Sequence, residues 1–223
     1  MYDSPAYRAA YARINGMVIV GEGLAYRHFR QLAEIFPEDR QELDRLAAME
    51  SGHARDFVGC GINLGIKPDL ALARDLFAPL HALFLDARRS ADRVGPLVIQ
   101  CLVVESFALA AYRGYLPVAD PYAAPITRRV MADEDEHLNY GERRLSPAGD
   151  LALDWCTQAL PITLAILRPL LPDVAAIGME ATELVAEFAD LLQGSLERIG
   201  IGGPAARRTI ARSVGRALAA PAP

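Results

Sequence analysis

Six residues divide this chain into two matching halves. Glu22 is followed 28 positions on by Glu50 with His53, and Glu105 is followed 29 positions on by Glu134 with His137. A Glu three residues before a His puts both side chains on one face of a helix, where one cation can take a carboxylate oxygen and an imidazole nitrogen. One Glu from each of two helices and a Glu-x-x-His from each of two more is the ligand set of a carboxylate-bridged di-metal centre in a four-helix bundle. Few other folds can gather these six side chains.

The neighbours of these residues make the pattern a physical requirement. Along 5–36 an apolar seam runs through Ile14, Val18, Ala25, Phe29, Leu32 and Phe36, with Glu22 where the next apolar residue belongs. Leu43, Leu46, Ala47, Phe57 and Leu64 mark the buried face that holds Glu50 and His53. The stretch 94–112 carries one carboxylate, Glu105, with Gln100 as its other strongly polar side chain, and Ile126, Val130, Gly141 and Leu145 bracket Glu134 and His137. Four carboxylates on converging apolar faces need a shared cation, because an isolated buried charge costs several kcal/mol or takes up a proton. His28 and His81 have no acidic residue at helical spacing on a matching seam and read as surface or packing histidines.

The class is all-α: a four-helix bundle core with additional outer helices, in a single domain over residues 1–223. Breaks are expected at Phe36-Pro37, Gly65 to Pro68, Gly95-Pro96, Asp120-Pro121, Ser146-Pro147, Pro172-Asp173 and Gly200 to Pro204, giving about eight helices and no convincing strand. Pro79, Pro125, Pro161 and Pro169 fall within helical patterns or near their starts, where kinks or short breaks are expected. The helix near 69–90 links the two halves, and those after 147 pack outside. The run 94–112 is long enough to tempt a transmembrane reading, but Glu105 and Gln100 near its middle make it a buried bundle helix, so no span is predicted.

Composition limits the partners. With 52% hydrophobic and 23% charged residues the chain is globular, and a net charge of −5 with pI near 5.4 argues against nucleic acid. Arg207, Arg208, Arg212 and Arg216 punctuate the last helical stretch and read as a solvated face. Cys60, Cys101 and Cys156 show no metal or redox spacing and suit free thiols in a reducing cytoplasm. The start MYDSPAYRAAY lacks the basic and apolar segments of a signal peptide.

Nearly the whole chain resembles a known family. The runs AYARINGMVIVGEG, QLAEIFPEDRQELDRLAAMESGH, CGINL, VVESFALAAYRGYLPVADPYA and DEDEHLNYGE, with IGME and ERIG further on, are similar to the cyanobacterial-type aldehyde-deformylating oxygenases, also called aldehyde decarbonylases. The resemblance implies a ferritin-like fold with two irons that uses O2 and external electrons to convert a fatty aldehyde to a one-carbon-shorter alkane plus formate. It implies a ferredoxin-type electron donor and an acyl-carrier-protein reductase that supplies aldehyde. Carried over by position, Glu22, Glu50, His53, Glu105, Glu134 and His137 are the iron ligands, Glu50 and Glu134 the bridges, and Tyr112, Gln100 and Cys60 line or border the active-site region. Val20 stands where the family usually has an acidic residue, and Ile62 where a basic one is common.

An apolar channel for the alkyl chain is expected at the small residues Gly16, Ala25, Gly59, Ala108 and Ala111; the same residues also suit close helix packing. The donor set suits manganese as well as iron. It is compatible with two other classes: a di-iron oxidase such as an N-oxygenase or hydroxylase, and a ferritin-type metal-handling protein. No mark of the assembly or ion path that storage needs is found in the sequence.

Overall fold

The computed structural model describes residues 2–90, 92–146 and 149–219. Helix α1 (Pro5–Ile35) opens with Ser4, whose hydroxyl oxygen accepts the Tyr7 amide at 3.2 Å, and with Pro5, whose fixed φ suits a first turn. It stops at Phe36, which Pro37 steers away from helical angles; a single 3-10 turn, Pro37–Asp39, leads into α2 (Arg40–Asn63). Gly65, at φ 61°, reverses the chain after α2, and the Asp69 carboxylate caps α3 (Leu70–Arg89) by accepting the Leu72 amide at 3.1 Å.

The second half opens with α4 (Val94–Leu97), which passes into a π-helical segment, Val98–Val104, and then α5 (Glu105–Tyr115). Asp120 takes the Tyr122 and Ala123 amides on Oδ1 to start α6 (Ala123–Leu145). Beyond lie α7 (Gly149–Leu167), a 3-10 turn Arg168–Leu170, α8 (Leu171–Ala176), α9 (Ala181–Arg198) and α10 (Gly203–Ala219). Among the described residues there is no strand, and the helices fall into eight continuous runs. Near Pro172 the α-helix is interrupted by the 3-10 turn, and Pro172 lies in the first turn of α8, where its missing amide proton costs nothing; the chain then turns at Gly178. Pro147 lies outside the described residues.

Helices α1, α2, the α4-to-α5 run and α6 form the inner bundle, with α1 along α2, α5 along α6 and α2 across to α6. Helix α3 packs on α1 as the link between halves, α7 covers the π segment, α9 covers α5 and α8 sits on α1. Gly16 sets the α1–α3 approach, since a Cβ there would lie 2.4 Å from the Asp69 carbonyl oxygen. Outer helices are tied on by charge pairs: Arg13 on α1 donates Nε to Asp173 at 2.7 Å, and Arg198 on α9 grips Glu142 of α6 at 2.6 Å. On α10, Ala206 and Ile210 face inward while Arg207, Arg208 and Arg212 are exposed; the Arg216 side chain lies outside the described residues.

Two helical stretches, Val94–Val118 and Leu151–Ala176, are long and apolar enough by composition to cross a membrane. The first has 72% of its apolar window buried inside the molecule, as expected of a bundle helix; the second, which covers it, has 50%.

Candidate metal centre

All six residues singled out by spacing converge. Glu22, Glu50, His53 and Glu134 place ligand atoms within 4.8 Å of one another, and so do Glu50, Glu105, Glu134 and His137. Glu50 and Glu134 belong to both groups, so the two halves of the sequence meet as two overlapping Glu3His sites. Exposure of the six side chains is between 0 and 5%.

Each histidine turns Nδ1 inward. His53 Nδ1 lies 3.3 Å from Glu22 Oε2 and 3.5 Å from both Glu50 Oε2 and Glu134 Oε1. His137 Nδ1 lies 3.0 Å from Glu50 Oε1, 3.1 Å from Glu134 Oε2 and 3.7 Å from Glu105 Oε2. One N–H cannot satisfy three carboxylates in different directions. Both Glu50 oxygens, Glu134 Oε1 and His137 Nε2 have no hydrogen-bond partner. Two buried carboxylates elsewhere are paired with cations, Asp173 with Arg13 and Glu142 with Arg198 and also Ser195, and buried Asp120 takes amide donors on Oδ1 alone. No arginine or lysine pair reaches the cluster among the described residues. Orphaned oxygens, inward imidazole nitrogens and a harder-oxygen donor set fit a pair of divalent transition-metal ions.

The electrostatics point the same way. Burial and the neighbouring Glu50 and Glu134 charges hold the Glu22 and Glu105 carboxyls well above the usual range. Against the cost of burial, the His137 charge draws Glu50 and Glu134 below it. Burial opposes charge on His53 and His137 too, yet the surrounding carboxylates push both imidazoles up. Among protein groups alone, protons are the only cations that neutralise the cluster.

The sequence profile of the long-chain fatty aldehyde decarbonylase family matches residues 4–218. The chain belongs to this family. Among solved structures, a Synechococcus protein described as having aldehyde deformylating oxidase activity superposes with a TM-score of 0.93 at 52% identity, covering 95% of this chain and 99% of that one.

In this member of the family, Tyr112 and Gln100 do more than border the site. The Tyr112 hydroxyl donates to Glu22 Oε1, and the Gln100 amide donates to Glu105 Oε1 at 2.6 Å. Tyr112 is two helical turns beyond Glu105, a spacing that puts it on the same face. Cys60 is buried on α2 but lies outside the cavity lining; burial and nearby acids push its thiol up to about 12, so it is no nucleophile at neutral pH.

From the cluster an apolar cavity runs between α1, α3 and α5 toward α7, α8 and α9, where Ile166, Leu170, Val174 and Met179 line it. Ala25, Ala108 and Ala111 line it as expected of small residues that keep a channel open. Gly16 and Gly59 do not: Gly16 accommodates the Asp69 backbone, and Gly59 faces the Tyr122 hydroxyl at 3.2 Å from the position of a Cβ.

Other partners have weaker traces in the sequence. Asp133 accepts a hydrogen bond from His53 Nε2 at 2.9 Å and so orients a ring four-fifths of a hundred residues away. Its only signal is its place in the acidic run before His137. His28 is 2% exposed and uses both ring nitrogens, to Gln100 Oε1 at 2.5 Å and to His81 Nδ1 at 2.9 Å; it is neither a surface group nor packing alone. Helical spacing could not reveal this, because its partners lie on other helices.

Proposed function

We propose that this chain is an aldehyde-deformylating oxygenase, which converts a long-chain fatty aldehyde to the one-carbon-shorter alkane plus formate with O2 and external electrons. The observation that carries the reading is the pair of overlapping Glu3His groups at the wall of a long apolar cavity, in a chain of the aldehyde decarbonylase family. In this reading Glu22 and His53 would hold one ion and Glu105 and His137 the other, with Glu50 and Glu134 available to both. Two iron ions held there would supply the activation of O2; manganese suits the same donors.

The chain's own residues do the rest. The apolar walls bind the alkyl chain and exclude water, which strengthens every electrostatic interaction at the carboxylate end. Ala108 and Ala111, one turn apart on α5 and close in sequence to Glu105, leave room for the chain beside the ligands, so its formyl carbon meets the cluster. Burial and the Glu22 charge hold the Tyr112 phenol well above its ordinary pKa, so it keeps its proton and stays a donor to Glu22. A ferredoxin-type protein supplies electrons, and an acyl-carrier-protein reductase the aldehyde, in the cytoplasm. Support for a single working unit over the whole chain comes from the continuous core shared by inner and outer helices.

The test is anaerobic loading with ferrous iron, then aldehyde, O2 and a ferredoxin or chemical reductant, with headspace alkane and formate measured together. Equal amounts of the two are expected. An oxidised product without formate assigns the chain to another di-iron oxidase class; iron turnover without organic product assigns it to metal handling.

A further inference from the structure

Next to the cluster, two histidines from different helices meet ring to ring in an otherwise apolar wall. His28 on α1 stacks on Phe84, with centroids 3.7 Å apart, and on His81 of α3. The hydrogen bonds continue from His81 Nδ1 to His28 Nε2 at 2.9 Å, from His28 Nδ1 to Gln100 Oε1 at 2.5 Å, and from Gln100 Nε2 to Glu105 Oε1 at 2.6 Å.

Donor and acceptor roles follow from the Glu105 end. Glu105 Oε1 accepts from the Gln100 amide nitrogen, with or without a proton on Oε2, so Gln100 presents its oxygen to His28; that oxygen accepts, so His28 carries its proton on Nδ1. Burial lowers the His28 pKa to about 3, with the His81 and Arg27 charges adding to it against the Gln100 hydrogen bond, and the ring is neutral. Its bare Nε2 then accepts from His81 Nδ1–H. All three bonds run in one direction and end on Glu105.

We propose that His81 and His28 are positioning residues that lock the Gln100 amide with its nitrogen toward Glu105, so that Glu105 offers a metal ion only its second oxygen. This rests on reading the six cluster residues as ligands. A side-chain amide has nearly the same shape either way round, and a flipped Gln100 would set its oxygen against a carboxylate and its NH2 against an N–H. The other half of the site shows why only one side needs such a chain. There Glu22 Oε1 is tied by a hydroxyl, which rotates to suit its acceptor, and Oε2 is left 3.3 Å from His53 Nδ1. On the Glu105 side Oε2 is left 3.7 Å from His137 Nδ1. The shared Glu50 has neither oxygen tied. Each outer carboxylate is thus pinned at one oxygen, and only the amide requires a second residue to set its direction.

The experiment is a Co2+ titration of the full chain followed by visible absorption, comparing wild type with His28→Phe, which keeps a ring on Phe84 but removes both nitrogens, and His28→Asn, whose amide nitrogen falls near the Nδ1 position. In His28→Phe one ion should bind as in wild type and the other roughly tenfold or more weakly, with altered d–d bands, and His28→Asn should recover most of the loss. The unchanged first ion doubles as the control for folding. Two ions bound with wild-type affinity and spectrum in His28→Phe would overturn the proposal. If wild type itself binds no cobalt, the ligand reading fails instead. Imidazole 15N–1H correlation spectra of metal-free wild type decide the chain independently: a neutral His28 with its proton on Nδ1 is expected, and a proton on Nε2 sinks it.

Discussion

Both ligand histidines face the cluster through Nδ1, but their outer nitrogens differ. His53 Nε2 is held by Asp133, whereas His137 Nε2 has no partner. The four cluster groups with raised pKa, Glu22, Glu105, His53 and His137, all carry extra protons that a metal ion must displace. Ferrous binding should therefore release protons, and affinity should rise with pH through the neutral range; calorimetry in buffers of different ionisation enthalpy measures the count. Affinity independent of pH would contradict it. In the same titration Glu105→Ala or His137→Ala should lose about half the bound metal, since each removes the ligand particular to one ion. At this scale the ligands were legible because i, i+3 spacing is a local property. Asp133 was not, because its role depends on a helix 80 positions away in sequence.

The helix that carries Glu105 is not α-helical throughout. Five residues of α-helix turn a side chain roughly 140° from its starting direction, which would part Gln100 from Glu105. In the π segment Val98–Val104 the Glu105 amide bonds the Gln100 carbonyl, five residues back, and the two side chains meet. An apolar run reads the same in either winding, so the sequence alone predicts one uniform helix. The wider turn is packed closely by α6: a Cβ on Gly141 would lie 2.4 Å from Cys101 Cβ and 3.1 Å from the Cys101 carbonyl oxygen. Gly141→Ala should force α6 and the π segment apart and cost about 1–3 kcal/mol. Urea unfolding should show a lower midpoint at unchanged slope. Equal midpoints would mean that the contact relaxes freely.

Across the whole molecule, the outer helices finish what the inner bundle begins. Residues of α7, α8 and α9, Ile166, Val174 and Leu184 among them, close the far side of a cavity whose near wall holds the carboxylates. Ala111→Phe should fill part of this cavity while leaving the metal content unchanged. The ratio of kcat/KM for long to short aldehydes should then fall at least about tenfold, since each methylene excluded from an apolar pocket is worth roughly 1–3 kcal/mol. Loss of activity equally at every chain length would place Ala111 outside the substrate path. By itself the sequence determined the helices, their order and the six inward groups, because 3.6-residue periodicity and buried charge are written within single segments. Tertiary structure decided which oxygen each donor ties, which nitrogen each histidine turns inward, and where the cavity runs. Those depend on pairs such as His28 with Gln100 and Tyr112 with Glu22, 72 and 90 positions apart, whose meeting is set only by how the helices cross.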